Sequence, residues 1–219
     1  MKIFTLFTFF IILSGCTAIN FEKVAPAYQS AFKAIKASML GYEEFITPEI
    51  IKNIPYASSK VSIGNGPNGL MILESVDDDI YTWVSADEVY LILKNGKIIK
   101  TKGLSNNITN LIAPYFFDDS EILKASEKLD YKFYYSYDNP FLANLEVSTR
   151  YRIKGKEIIS ILDQEKKLTL VHEEISNRII GWNEINKYWI DEEGFVWKSE
   201  QHISPRLPKV VFEITKKPS

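Results

Sequence analysis

Few side chains in this 219-residue sequence have the types and spacing that chemistry needs. Cys16 is the single cysteine, so it has no partner for an internal disulfide, and no neighbouring histidine makes it a nucleophile. The two histidines, His172 and His202, each stand alone in a strand-like segment, outside any HExxH pattern or metal-ligand spacing. No metal or cofactor is expected. Asp77-Asp78-Asp79 lacks the glycine and distal glutamate of a calcium loop and reads as a solvated hairpin turn. The glycine-rich run from Gly64 to Gly69 contains Pro67, which removes a donor, and a strand follows where a phosphate would want a helix. It reads as a loop between strands.

Paired carboxylates are harder to dismiss, because two acids facing a cleft are enough for glycoside hydrolysis and need not be close in sequence. Glu173, Glu174, Asp191, Glu192 and Glu193 are candidates, but 28 acidic residues make a chance pair expected, and no catalytic residue is assigned. The four tryptophans, Trp83, Trp182, Trp189 and Trp197, lie in strand-like segments. Their rings can either stack on sugar faces, which makes them candidate glycan contacts, or fill the core of a curved sheet.

The surroundings of Cys16 say more than its thiol. Lys2 forms a one-charge start, Ile3 to Leu13 is apolar apart from Thr5 and Thr8, and Ser14-Gly15 supplies small residues before the cysteine. Eleven helical residues reach only ~16 Å against the ~30 Å of a membrane core, so the segment reads as an export signal. Leu13-Ser14-Gly15-Cys16 resembles the lipobox of bacterial lipoproteins, which implies acylation of Cys16 and cleavage before it. Several buried acyl chains hold a protein to a bilayer effectively permanently. Thr17 stands where an aspartate retains enterobacterial lipoproteins in the inner membrane, so the expected address is the outer membrane, facing the periplasm.

Removing residues 1–15 leaves 204, with 25 of the 26 basic residues against 28 acidic ones, a length that suits one domain. The near balance gives no reason to expect nucleic acid or an anionic lipid surface as partner. The expected organisation is a signal over 1–15, a short lipid-anchored linker over 16–20 and one β-rich domain over 21–219.

Within that domain, Phe21, Val24, Tyr28, Phe32, Ile35 and Met39 recur at helical spacing, and Gly41 sits where a C-cap belongs. A second, short helix should start at Thr47-Pro48-Glu49 and stop at Pro55. From Tyr56 the apolar period becomes two, and Asn95-Gly96 joins two apolar runs with the residues a type I′ turn demands. Residues 104–126 read as irregular, with room for a short helix. Strand patterns then resume, with turns expected at Lys154-Gly155 and Glu193-Gly194. The expected fold is mainly β with N-terminal helices: an antiparallel meander curled into a half-barrel or partial barrel, because closely spaced strands must protect their edges.

Two long stretches, Ile54 to Ile108 and Tyr188 to Pro218, resemble the YjbF/GfcB family of group 4 capsule lipoproteins. The landmarks are Ile54-Pro55-Tyr56, the apolar strand around Trp83 with the Asn95-Gly96 hairpin after it, and Tyr188-Trp189-Ile190-Asp191 followed by Gly194. The resemblance implies a non-enzymatic accessory of capsule or exopolysaccharide export, working beside an outer-membrane β-barrel protein and in reach of polysaccharide. It carries over no catalytic residue. Two alternatives remain: a half-barrel carrier of a lipid or lipid-linked sugar, and a polysaccharide-modifying enzyme.

Overall fold

A computed structural model describes residues 46–113 and 130–218. Cys16 and the amphipathic stretch 21–41 fall outside them. The described helix, α1 (Pro48–Asn53), begins as its sequence dictates. Thr47 is extended and accepts the Ile50 N–H on Oγ1 at 3.4 Å, Pro48 lies in the first turn, and Glu49 faces the positive end of the helix dipole. Ile51 and Ile54 then pack on Leu70 and Ile72, which point away from the barrel interior.

Twelve strands make one antiparallel sheet: β1 (Ser58–Ile63), β2 (Gly69–Asp77), β3 (Ile80–Ser85), β4 (Tyr90–Lys94), β5 (Lys97–Lys102), β6 (Ile108–Ile112), β7 (Asp130–Tyr137), β8 (Leu142–Ile161), β9 (Gln164–Asn177), β10 (Trp182–Ile190), β11 (Val196–Gln201) and β12 (Val210–Lys216). Apart from β5 and β6, each strand pairs with its neighbours in sequence, and β1 pairs with β12 (Ser59 opposite Ile214, Val61 opposite Phe212). The first and last strands therefore close the ring. One seam remains, in the middle of the chain, where β5 and β6 lie side by side without a backbone ladder. The meander is mainly β as its pattern requires, and it closes further than a half-barrel.

Side chains take the ladder's place at the seam. Thr101 Oγ1 accepts the Ile108 N–H at 2.9 Å. Near the other end of β5, the Gln201 amide accepts the Ile98 N–H at 3.0 Å and donates to Gly96 O at 2.8 Å, as a partner strand would. An exposed strand edge invites pairing with another chain, and Gln201 blocks this one from within.

Local chemistry explains the turns. Asn95 (φ 48°) and Gly96 (φ 74°) both have positive φ, and Lys94 sits opposite Lys97, as a type I′ hairpin requires. Gly194 (φ 89°) turns the chain between β10 and β11, and Asp78 (φ 53°) turns it between β2 and β3. Two expectations fail. Lys154-Gly155 is no turn: β8 runs through it with a register shift between Ile153 and Gly155, and Gly155 (φ 125°) supplies the kink. The reversal comes at Leu162-Asp163 instead. The segment expected to be irregular contains β6, whose alternation is broken by a register shift between Ile108 and Asn110; residues 114–129 lie outside the description.

The far half of the β8–β9 hairpin outruns β10 and curls over the outer face of the barrel. Ile159 and Leu168 close over Leu170, Trp189 and Trp197 there. The main core fills the barrel interior, from Trp83 and Phe212 on one side to Phe133, Tyr137, Val147 and Tyr188 on the other.

Candidate functional site

Alternation along β9 sends Val171, Glu173 and Ile175 inward, while His172 and Glu174 face out. Glu173 is thus a carboxylate inside a packed barrel, 0% exposed. Four groups converge on it. Lys97, the first residue of β5 after the tight hairpin, brings Nζ to 2.5 Å from Oε1. Tyr151 from β8 donates to Oε1 at 2.7 Å, and Tyr188 and Asn186 from β10 donate to Oε2 at 2.6 and 2.8 Å. Asn186 Oδ1 in turn accepts the His202 N–H at 2.7 Å.

Burial pushes the Glu173 carboxyl up, but the Lys97 ammonium and the hydrogen bonds from Asn186, Lys97 and Tyr188 outweigh it and hold the group below its ordinary value. Burial, with the Glu173 charge second, raises the Tyr151 and Tyr188 hydroxyls well above theirs. The cluster is therefore an ionised pair with neutral phenols around it. Lys97 is 2% exposed, so the pair has no open path for a substrate. No second carboxylate joins the described contacts of Glu173. Its mechanical consequence is plain: it ties β5, one edge of the seam, across the interior to β8, β9 and β10.

The tryptophans are placed by packing. Trp83 meets Phe212 edge to face with centroids 5.4 Å apart, and Trp182 meets Tyr135 in the same way at 6.4 Å, both inside the barrel. Trp189, under the β8–β9 arm, donates Nε1–H to Glu157 Oε2 at 2.9 Å. Trp197 is half-buried: its Nε1–H donates to Asp191 Oδ2 at 2.8 Å, and the Lys166 ammonium lies 3.8 Å from its ring centroid. Three of the four rings are thus shut away from solvent, and Trp197 has a cation on its face.

The other candidates are scattered. His172 faces outward, and burial and the nearby Lys154 and Lys187 lower its pKa. His202 is also lowered by burial, and its Nε2 lies 3.5 Å from Glu184. Glu174 pairs with Arg152, Glu192 with Lys156, and Glu193 with Lys217. Asp191 Oδ1 accepts the Glu193 and Phe195 N–H groups and caps the β10–β11 turn. Lys217 Nζ also lies 3.7 Å from Asp191 Oδ2, so Asp191 and Glu193 share one ammonium at the β10–β11 turn, while Glu173 is buried inside the barrel. The run from Gly64 to Gly69 is a loop between β1 and β2, as expected, with the Gly64 N–H bonded to Lys209 O.

Lys97, Tyr151, Asn186 and Gln201 did not stand out in the sequence, and Tyr188 stood out only as a landmark of the resemblance. The available signal was polarity at inward positions: Glu173 interrupts Val171 and Ile175 on one face, and Lys97 directly precedes Ile98 and Ile99 after the Asn95-Gly96 turn.

Among the described residues, Trp83, Tyr137, Tyr188, Lys97 and Phe133 occupy much of the lumen. A cavity of about 200 Å³ lined by Tyr81, Trp83, Leu93, Phe212 and Ile214 remains, smaller than the roughly 300–1,000 Å³ of a ligand site such as a carrier needs.

Comparison with known proteins agrees with the fold and supplies the family. The chain is 24% identical over 196 residues to the uncharacterized lipoprotein YjbF of Escherichia coli K12, covering 88% of this chain and 87% of that protein. It is 22% identical over 194 residues to the uncharacterized lipoprotein GfcB of the same strain, covering 87% and 84%. The crystal structure of the hypothetical lipoprotein YmcC from Escherichia coli K12 superposes with a TM-score of 0.70 at 20% identity, over 86% of this chain and 96% of that one. The family model for the group 4 capsule polysaccharide lipoproteins GfcB and YjbF matches residues 28–215, which span the whole barrel, and the chain belongs to that family.

Proposed function

We propose that this protein is an outer-membrane lipoprotein, acylated on Cys16 after removal of residues 1–15, that serves capsule or exopolysaccharide export as a non-enzymatic accessory. A linker over 16–20 joins the anchor to one periplasm-facing domain, 21–219, which works beside an outer-membrane β-barrel protein of the same export system. Membership in a family of capsule lipoproteins supports the setting. The observation that carries the non-enzymatic role is the state of the interior. Its buried carboxylate is neutralised by Lys97, enclosed, and without a facing acid among its described contacts. Glycoside hydrolysis by the usual route needs two carboxyl groups roughly 5–10 Å apart around an accessible bond.

The test is genetic and biochemical. Deleting the gene should reduce or alter surface polysaccharide. Alanine substitution of His172, Asp191 or Glu192, none of which lines the trough on the outer face of β7 to β10, at normal protein level and localisation, should not reproduce the loss. Removing a general acid or nucleophile from an enzyme usually costs orders of magnitude in rate, so one folded, correctly localised variant that loses surface polysaccharide contradicts the reading.

A further inference from the structure

The outer face of β7 to β10 carries a trough whose floor is one row of residues. Strand register places Lys132 opposite Ser148, Ser148 opposite Ser176, and Ser176 opposite Asn183. The two central residues are the smallest polar side chains, and larger ones stand on either side. Arg150 and Glu174 form the next row, with Ile185 beside them. Glu146, hydrogen-bonded by Tyr134 and paired with Lys132 at 2.8 Å, stands on the other side with Arg178. The open trough encloses about 1330 Å³. Its floor row crosses four strands about 4.8 Å apart, roughly 14 Å from end to end, which suits an elongated ligand.

We infer that this trough binds an extended stretch of polysaccharide, with Ser148, Ser176 and Asn183 reading hydroxyls along its floor. The inference rests on the export role proposed above and names its binding surface. Sugar hydroxyls both donate and accept, and so do serine hydroxyls and the asparagine amide. Arginine and glutamate walls add planar groups that can engage neighbouring hydroxyls two at a time. Lys132, Arg150 and Arg178 are matched by Glu146, Glu174 and Glu184 around the trough, which disfavours nucleic acid, whose phosphates demand a basic surface. A polar floor disfavours a lipid tail. Ile185, 45% exposed, offers an apolar surface for the CH face of a sugar ring. His202 also lines the trough, with Nε2 3.5 Å from Glu184.

The experiment is calorimetric titration of the full acylated protein in detergent. The probe is oligosaccharides made by partial hydrolysis of the host's own surface polysaccharide. Ser148→Tyr and Ser176→Tyr fill the floor with a residue that strands favour and leave the core untouched, so the barrel should keep its melting temperature. Saturable binding by the wild type, weakened about tenfold or more in the double variant, is the expected result. Equal binding by the folded double variant, or no saturable binding by the wild type, overturns the assignment. The gene deletion separates the two readings: lost oligosaccharide binding in the double variant together with normal export in the deletion strain leaves the trough standing and removes the export role.

Discussion

Lys97 Nζ lies 2.5 Å from Glu173 Oε1, and neither side chain reaches solvent. The pair joins an edge of the seam to the opposite wall, so its worth depends on both partners being present. Breaking a buried pair by removing one partner costs about 3–5 kcal/mol, whereas replacing both with apolar residues of similar volume is often near neutral. Glu173→Ala should therefore destabilise the barrel by that amount. Lys97→Met with Glu173→Leu should recover the part of the loss that comes from an uncompensated Lys97 charge, though not the hydrogen bonds that Tyr151, Tyr188 and Asn186 make to Glu173, as read by urea unfolding of each variant. A double variant no better than Glu173→Ala contradicts the clamp.

Acid should weaken the same clamp. The Glu173 carboxyl is held below its ordinary value in the folded state, so its stabilisation is present above the unfolded carboxylate range, about 4.3, and is lost as pH falls towards the folded value. Thermal midpoints measured from about pH 7 downward should drop through the acid range. The Lys97→Met, Glu173→Leu variant should show a shallower drop than the wild type, and parallel curves count against the assignment.

Gln201 seals the seam by standing in for a strand. Gln201→Ala leaves the Ile98 N–H and Gly96 O without that partner, which costs about 1–3 kcal/mol for a buried group left unmade. It also frees part of an edge. Hydrogen exchange at the Ile98 amide should quicken more than exchange at β9 amides, and unchanged protection at Ile98 refutes the capping role.

Gly96 is constrained twice, by φ 74° and by Val196, whose side chain would lie 2.5 Å from an added Cβ. Gly96→Ala should cost on the order of 1–3 kcal/mol and displace Lys97 from Glu173. Unfolding midpoints show whether it does, and an unchanged midpoint denies the constraint.

Much of this architecture is written locally. Thr47-Pro48 announces α1, Asn95-Gly96 announces its hairpin, and period two in the apolar runs announces the strands. Lys154-Gly155 shows the limit of local reading, because a glycine with positive φ serves a bulge as well as a turn, and only pairing with β9 decides between them. Residues 108–112 hid a strand because a bulge breaks its alternation. The Glu173 cluster was less legible still. Its members come from β5, β8, β9 and β10, and an acid between two valine-like neighbours looks the same whether it is satisfied by a lysine 76 residues away or faces water. The tryptophans illustrate the same point, since the sequence puts them in strands and only curvature and the β8–β9 arm determine which faces are covered.

The anchor is tested apart from the barrel. Cys16→Ser should abolish incorporation of labelled fatty acid and release or stall the precursor. Continued labelling of that variant contradicts acylation at Cys16.

The most direct test of the account is to return the Lys97→Met, Glu173→Leu variant to a strain lacking the gene and measure surface polysaccharide. The cluster is read as structural and not catalytic, so a folded, membrane-localised double variant should restore polymer to near the wild-type amount. Normal folding and localisation with no restored polymer would instead show that the Lys97–Glu173 chemistry itself is needed, and the non-enzymatic account would fall.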